Sequence, residues 1–307
     1  MAIGRLRLKP HGYDFPPYRP PSEANSLLLR VTRGCPWNRC TFCSLYKDIP
    51  FERRPLEEIF EDIEAARELC RDETRSVFIG DSNSILIKTE EFVKILVALY
   101  QAFPNIERVT SYARAKTICK KQSEDLQRLR AAGLSRLHVG LETGDKELLS
   151  IIQKGATPEE MVAAGLRAKE AGFEYSLYVL LGIGGEELWE QHAQGTAEVL
   201  NRIDPHFIRV RTFIPQPGCA LYEEIKSDTF TKACHETILK EQRKLIQALD
   251  VTSTYLSDHL SNYIPVNGTL PNDKPHMLAI IDEALAALDA DETLRKRFSR
   301  KDSLKSL

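Results

Sequence analysis

Three cysteines fall within nine residues of the 307-residue chain, Cys35-Pro-Trp-Asn-Arg-Cys40-Thr-Phe-Cys43, a C-x4-C-x2-C run. Three thiolates on one tight loop can hold three irons of a cubane cluster and leave the fourth iron without a protein ligand. An open coordination position is what substrate chemistry at a metal requires. Structural zinc instead takes four ligands, often from two C-x2-C pairs. No second pair is present, because Cys70, Cys119, Cys219 and Cys234 are scattered. A zinc site closed by a distant Cys or His stays open as a competing reading. Three incidental cysteines are a weaker one, since structural cysteines are buried and this loop is polar.

The loop needs elements to hold it. Residues 26–32 (SLLLRVT) read as a buried strand that feeds directly into the first cysteine. Periodicity predicts further strands over 76–80, 108–113, 136–141, 175–181 and 207–213. Helices are predicted over 55–71, 89–102, 123–132, 146–153, 158–171, 186–202 and 232–249. That makes about six βα units, hence an α/β chain with a parallel sheet and helical crossovers. Eight units would close a barrel; the expectation is a partial (β/α)6 TIM-like barrel over 26–250. An N-terminal arm (1–25) precedes it and a small C-terminal extension (251–307), with a helix over 275–289 and a charged tail, follows. In such folds ligands sit at the carboxyl ends of the strands, so strand-end residues carry the functional information.

Composition narrows the function classes. Net charge is −2 and the pI is near 6.4, so no global basic field draws the chain to nucleic acid or to an anionic membrane. The longest apolar stretch, around Tyr178–Ile183, is too short to cross a bilayer. The N-terminus lacks the apolar core of a signal peptide. An odd count of seven cysteines, three of them clustered, does not fit a secreted disulfide scaffold. The expected location is the cytoplasm, with reduced thiols.

The cysteine loop and its setting resemble the radical SAM superfamily, whose hallmark is C-x3-C-x-aromatic-C after the first barrel strand. Cys40-Thr-Phe42-Cys43 matches the second half, while the first spacing is one residue longer. The resemblance implies a [4Fe–4S] cluster on Cys35, Cys40 and Cys43, with S-adenosylmethionine (SAM) on the open iron. Further positions carry the resemblance through the predicted barrel. Gly80-Asp81-Ser82 stands where the superfamily has an element for the methionine amino group. Arg114, ending Ser111-Tyr112-Ala113-Arg114, has a guanidinium suited to the SAM carboxylate. Gly140-Leu-Glu142-Thr-Gly144, followed by Lys154-Gly155-Ala-Thr157, is similar to a stretch shared by relatives of oxygen-independent coproporphyrinogen oxidase and of methylthiotransferases. By that likeness Glu142 and Lys154 contact SAM. Leu181-Gly182-Ile-Gly184-Gly185 resembles the turn that lets backbone approach the adenine. Singly, each has a plainer reading, as a strand-end acid, a helix cap or a surface cation.

The implied activity is reductive cleavage of SAM to a 5′-deoxyadenosyl radical that takes hydrogen from a small-molecule substrate. A reducing partner such as flavodoxin or ferredoxin goes with it. RNA or protein as substrate, and a non-catalytic Fe–S or zinc module, are the alternatives. The segment Ser257-Asp258-His259-Leu-Ser-Asn262-Tyr263 is dense in hydrogen-bonding groups. It is expected to fold back over the barrel mouth with Asp258 and His259 near substrate, or else to be a capping turn. Cys219, after the sixth strand, is either a thiol facing the cavity or a buried structural residue.

Overall fold

Leu27–Arg30 forms β1, three successive leucines suiting a strand covered on both faces. The computed structural model describes residues 18–70 and 73–302. Residues 1–17 of the expected arm and 303–307 of the expected tail therefore lie outside the described residues. Two short strands, β2 (Thr32–Arg33) and β3 (Glu52–Arg53), pair antiparallel and close the base of the loop between them. Helix α1 (Leu56–Cys70), β4 (Ser76–Gly80), α2 (Thr89–Ala102), β5 (Arg108–Ala113), α3 (Ala115–Lys120), α4 (Ser123–Ala131) and β6 (Leu134–Glu142) follow. Then come α5 (Lys146–Ile151), α6 (Pro158–Glu170), β7 (Glu174–Leu181), α7 (Trp189–Ile203), β8 (Phe207–Thr212) and α8 (Ala220–Lys226). The chain ends with α9 (His235–Ala248), β9 (Thr254–Leu256), β10 (Gly268–Thr269), α10 (Lys274–Ala290) and α11 (Glu292–Asp302).

The chain divides into two compact units. The first holds residues up to Pro36 with Asp48–His138 and Arg167–Glu174; the second holds Trp37–Lys47, Val139–Leu166 and the chain from Tyr175. Strand β6 runs from the first into the second.

In the first unit β1 pairs with β4 and β4 with β5, all parallel. Helices α1 and α2 bury Ile59, Ile63 and Ala66, and Phe92, Ile95, Leu96 and Leu99. Spacings of three and four put each set on one helix face. Each such aliphatic or aromatic side chain contributes about 1.5–3 kcal/mol through burial. Beneath them Glu23, fully buried, accepts from Ser26 Oγ at 2.7 Å and lies 3.1 Å from Arg108 and 3.2 Å from His138 Nε2.

In the second unit β7 pairs with β8 and β8 with β9, again parallel, and β10 turns back antiparallel on β9. Helices α7 and α9 pack together, α7 burying Val199, Leu200 and Ile203 and α9 Ile238, Leu245 and Ile246.

Four features depart from expectation. Strand β9 belongs to the stretch read as the extension, yet pairs parallel with β8; three residues among turn formers carry no usable period. Helices α3 and α8, six and seven residues long, are too short for a periodic signal. Helix α7 starts at Trp189 rather than 186, because Gly182 and Gly185 hold positive φ in the preceding turn. The expected charged tail is helical over Glu292–Asp302. Among the described residues no helix is long and apolar enough to cross a membrane.

Candidate active site

The cysteine loop is held from both ends. Gly34, immediately before Cys35, adopts φ +73, and a Cβ there would lie 2.8 Å from the Ile49 and Pro50 carbonyl oxygens. Only glycine fits that approach. Ser82 Oγ donates to the Gly34 carbonyl at 2.9 Å. In the second unit, Trp37 Nε1 donates to the Gln153 carbonyl at 2.8 Å, and Thr41 N–H to that of Ile152 at 3.0 Å. The Thr41 carbonyl accepts from Leu221 N–H at 2.9 Å. Lys47 Nζ donates to the carbonyls of Asn38 and Cys40 at 3.0 and 3.3 Å. Cys35, Cys40 and Cys43 are half-buried, and none of the seven cysteines is in a disulfide.

At the end of β4, in the first unit, Asp81 takes φ +67, a conformation that costs a non-glycine residue about 1 kcal/mol or more. Its Oδ2 lies 3.3 Å from Arg30 Nε, and both side chains are buried. Gly80 is confined by Leu28, whose Cδ1 would sit 3.2 Å from a Cβ. Asn83 then bridges two strand ends, donating to Thr117 Oγ1 at 2.8 Å and accepting from Arg114 N–H at 3.0 Å. Arg114, half-buried, stands at the N-cap of α3.

At the end of β6, in the second unit, Glu142 also takes a left-handed conformation, φ +63. Its Oε1 accepts from Lys154 Nζ at 2.7 Å, with the two side chains 15% and 14% exposed. Lys154 Nζ stands 5.9 Å from the centre of the Phe42 ring, in the cysteine loop. Phe42 packs in turn on Leu148, Ile152, Ile183 and Leu221. Gly155, at φ +72, lies under Trp37, whose Cζ2 would be 2.4 Å from a Cβ.

Gly182 is tied in by a fully buried relay. Gly144 N–H donates to Thr196 Oγ1 at 2.9 Å, and that oxygen lies 3.2 Å from His192 Nδ1. His192 Nε2 stands 3.3 Å from Glu241 Oε1, which accepts from Gly182 N–H at 3.0 Å. Further along the same turn, Glu186 accepts from Cys234 N–H and Thr237 Oγ1, each at 2.6 Å. Burial pushes its carboxyl up, but those hydrogen bonds outweigh it and hold the group below its ordinary value.

The segment after β9 lies along β8. Asn262 Nδ2 donates to the Val210 carbonyl at 2.8 Å, and Thr212 N–H donates to Ser261 Oγ at 3.0 Å. Thr212 Oγ1 donates to Asn262 Oδ1 at 3.1 Å. His259 is half-buried with Nδ1 2.8 Å from Ser261 Oγ, and Asp258 is exposed. Cys219 is buried, at the N-cap of α8.

The geometry thus brings Phe42, Glu142 and Lys154 together, and sets Asp81 and Ser82 against Arg30 and Gly34. Sequence reading missed Trp37, Arg30, Asn83, Thr196, His192 and Glu241. A signal existed for Trp37 alone, as a large apolar residue inside a polar loop; the others are ordinary helix, strand or turn residues.

The loop's donor set suits an iron–sulfur cluster. Between Cys35 and Cys43 the only metal-binding side chains are three thiols, the soft ligands such a cluster takes, and each is half-buried rather than sealed in core. Among the described residues no group of three or more His, Cys, Asp or Glu is gathered to hold a single metal ion.

Comparison with known proteins gives the fold and the family. Methylornithine synthase (PylB) superimposes with a TM-score of 0.51 at 19% identity, covering 74% of this chain and 65% of that one. Coproporphyrinogen III oxidase (HemN) from Escherichia coli, a radical SAM enzyme, gives 0.53 at 15% identity, covering 72% and 50%. These likenesses bear out the expected α/β fold, a partial TIM-like barrel. The heme chaperone HemW of Bacillus subtilis (strain 168) is 22% identical over 189 residues, covering 60% of this chain and 49% of its own. The chain thus spans about half the length of that relative. The profile of the Radical SAM superfamily matches residues 29–194, more than half of the 307. The chain belongs to the radical SAM superfamily of enzymes, which work with a [4Fe–4S] cluster and S-adenosylmethionine.

Proposed function

We propose that Cys35, Cys40 and Cys43 hold the cluster and that the chain cleaves SAM reductively to act on a small-molecule substrate. A cluster held by those three thiolates would supply the electron that breaks a C–S bond of SAM, releasing methionine and a 5′-deoxyadenosyl radical that would take a hydrogen atom from substrate. The chain's own residues bind, orient and exclude water. Phe42, Gly80, Asp81, Ser82, Arg114, Glu142, Lys154 and Gly182 are assigned to SAM. Electrons come from a flavodoxin- or ferredoxin-like donor. Asp258 and His259 are assigned to the substrate side. Cys219 is assigned a packing role, and labelling with a thiol reagent with and without SAM separates that from a role in chemistry.

The observation that carries this reading is the Glu142–Lys154 pair. An acid in a strained conformation at a strand end, joined to a cation lying over the aromatic residue of the cysteine loop, is a costly arrangement for packing alone. For binding the amino-acid part of SAM it supplies one acceptor and one donor. Asp81, equally strained at the end of β4, supports it.

Cys→Ala at position 35, 40 or 43 is expected to abolish the cluster's visible absorbance and the formation of 5′-deoxyadenosine. Reductive cleavage retained in any one of these variants sinks the assignment.

A further inference from the structure

Strand β8 carries two arginines, Arg209 and Arg211, that no step above uses. Their direction follows from register. Ile208 is in register with Tyr255, whose buried hydroxyl accepts from Gln242 Nε2 of α9 at 3.2 Å. Neighbours in register share a face, so Ile208 and Val210 turn toward the helices, and Arg209 and Arg211 turn away from them. Tyr178 and Leu180 of β7, in register with those arginines, share their face.

Arg211 is half-buried, and its guanidinium carbon sits 5.1 Å from the centre of the Tyr178 ring. Among the described residues no carboxylate lies within ion-pair distance of it. The one acid on this face of β7, Glu174, stands at the opposite end of the strand, paired with Arg136 at 2.7 Å. A ring contact contributes only about 0.5–2 kcal/mol, a modest return for partly desolvating a cation with five donors. Arg211 is also the penultimate residue of β8, at the carboxyl end, where this class of fold places its ligands. The segment 257–262 is fastened to that same strand end through Val210 and Thr212, on either side of Arg211 in sequence.

We propose that Arg211 is a substrate-recognition residue, and that the substrate is a small molecule bearing a carboxylate or phosphate group. The ring of Tyr178 holds the guanidinium plane, leaving its edge donors for a bidentate contact with the anion. This deepens the proposed function and rests on it. SAM carries a carboxylate too, so the test must separate the two sources of the anion.

Anaerobically reconstituted protein is titrated with glutarate and, separately, with inorganic phosphate at constant ionic strength, following the unfolding midpoint. A ligand that binds only the folded state raises it saturably. The expected result is such a rise in the parent protein and in R202Q, an exposed control on α7, with apparent affinity at least about tenfold weaker in R211Q. An equal response in R211Q means an adventitious ion only, and overturns the proposal. SAM affinity of the same proteins is measured by equilibrium dialysis. A fall in R211Q that parallels its loss of anion response assigns the anion to SAM and overturns the substrate reading. Should R211Q not take up the cluster, phenylglyoxal labelling of the parent protein with peptide mapping decides. Slower modification of Arg211 in glutarate or phosphate supports the proposal, and an unchanged rate overturns it. Cluster absorbance and 5′-deoxyadenosine formed by the parent protein report on the underlying function separately.

Discussion

Strand β6 carries two acid–cation pairs of opposite character, His138 with Glu23 and, four residues on, Glu142 with Lys154. The first is sealed, with both side chains fully buried, and Ser26 and Arg108 complete its hydrogen bonding. The second joins Lys154 to Glu142 at 2.7 Å, is partly open to solvent, and sits on strained backbone. A pair without access cannot meet a ligand, so its energy goes into the fold. A partly exposed pair on strained backbone gives less to the fold, and under the proposed function it is the pair that meets SAM. Burial and strain, rather than residue type, separate structure from function here.

The largest effect should come from breaking the sealed pair. His138→Ala leaves the Glu23 carboxylate buried with Arg108 and Ser26 but without its imidazole partner, and the expected loss is about 3 kcal/mol of stability by chemical denaturation. Equal stability of variant and parent would place Glu23 in water. Lys154→Ala should act the other way round. SAM affinity is expected to fall about tenfold to a hundredfold, or about 1.4–2.7 kcal/mol. Stability should change by no more than about 1 kcal/mol. A variant that binds SAM normally yet unfolds early would make this pair structural too.

Gly155→Ala tests the strained backbone beside the open pair. Forcing a Cβ into left-handed φ costs about 1–2 kcal/mol, and it would displace the Trp37 ring. Slower or incomplete cluster loading, beyond what a midpoint lowered by that strain accounts for, is the expected readout. The pH dependence of the sealed pair gives a separate test of it. Burial raises the Glu23 carboxyl, but hydrogen bonds from His138 and Ser26 and the charges of His138 and Arg108 outweigh it and hold the group at about 2. A carboxyl lowered in the folded state stabilises fully above its ordinary value of 4.5, and that stabilisation is lost as pH falls toward about 2. Unfolding midpoints measured across that interval should fall less steeply in Glu23→Gln; parallel curves would remove the pair from the acid response.

Much of this was legible beforehand. Strands β4 and β5 and helix α2 lie where alternation and helical spacing predict them, because long amphipathic or fully apolar runs have one way to bury themselves. The cysteine triplet, and the acids ending β4 and β6, were visible as residue types at strand ends. Less legible was β9, where Tyr255 is buried by an element of only three residues. The relay through Thr196, His192 and Glu241 was invisible, since those residues come from two helices separated by some forty positions.

The sequence alone determined the three-thiolate loop, the parallel α/β order and the family to which they point, because ligand chemistry and hydrophobic period are local properties of the chain. Only the tertiary structure decided which charged residues are sealed and which stay open, that Lys154 meets both Glu142 and Phe42, and that Arg211 turns from the helices with no carboxylate beside it among the described residues. Those outcomes depend on register and packing between segments far apart in the chain, where a shift of one residue along a strand would exchange its two faces.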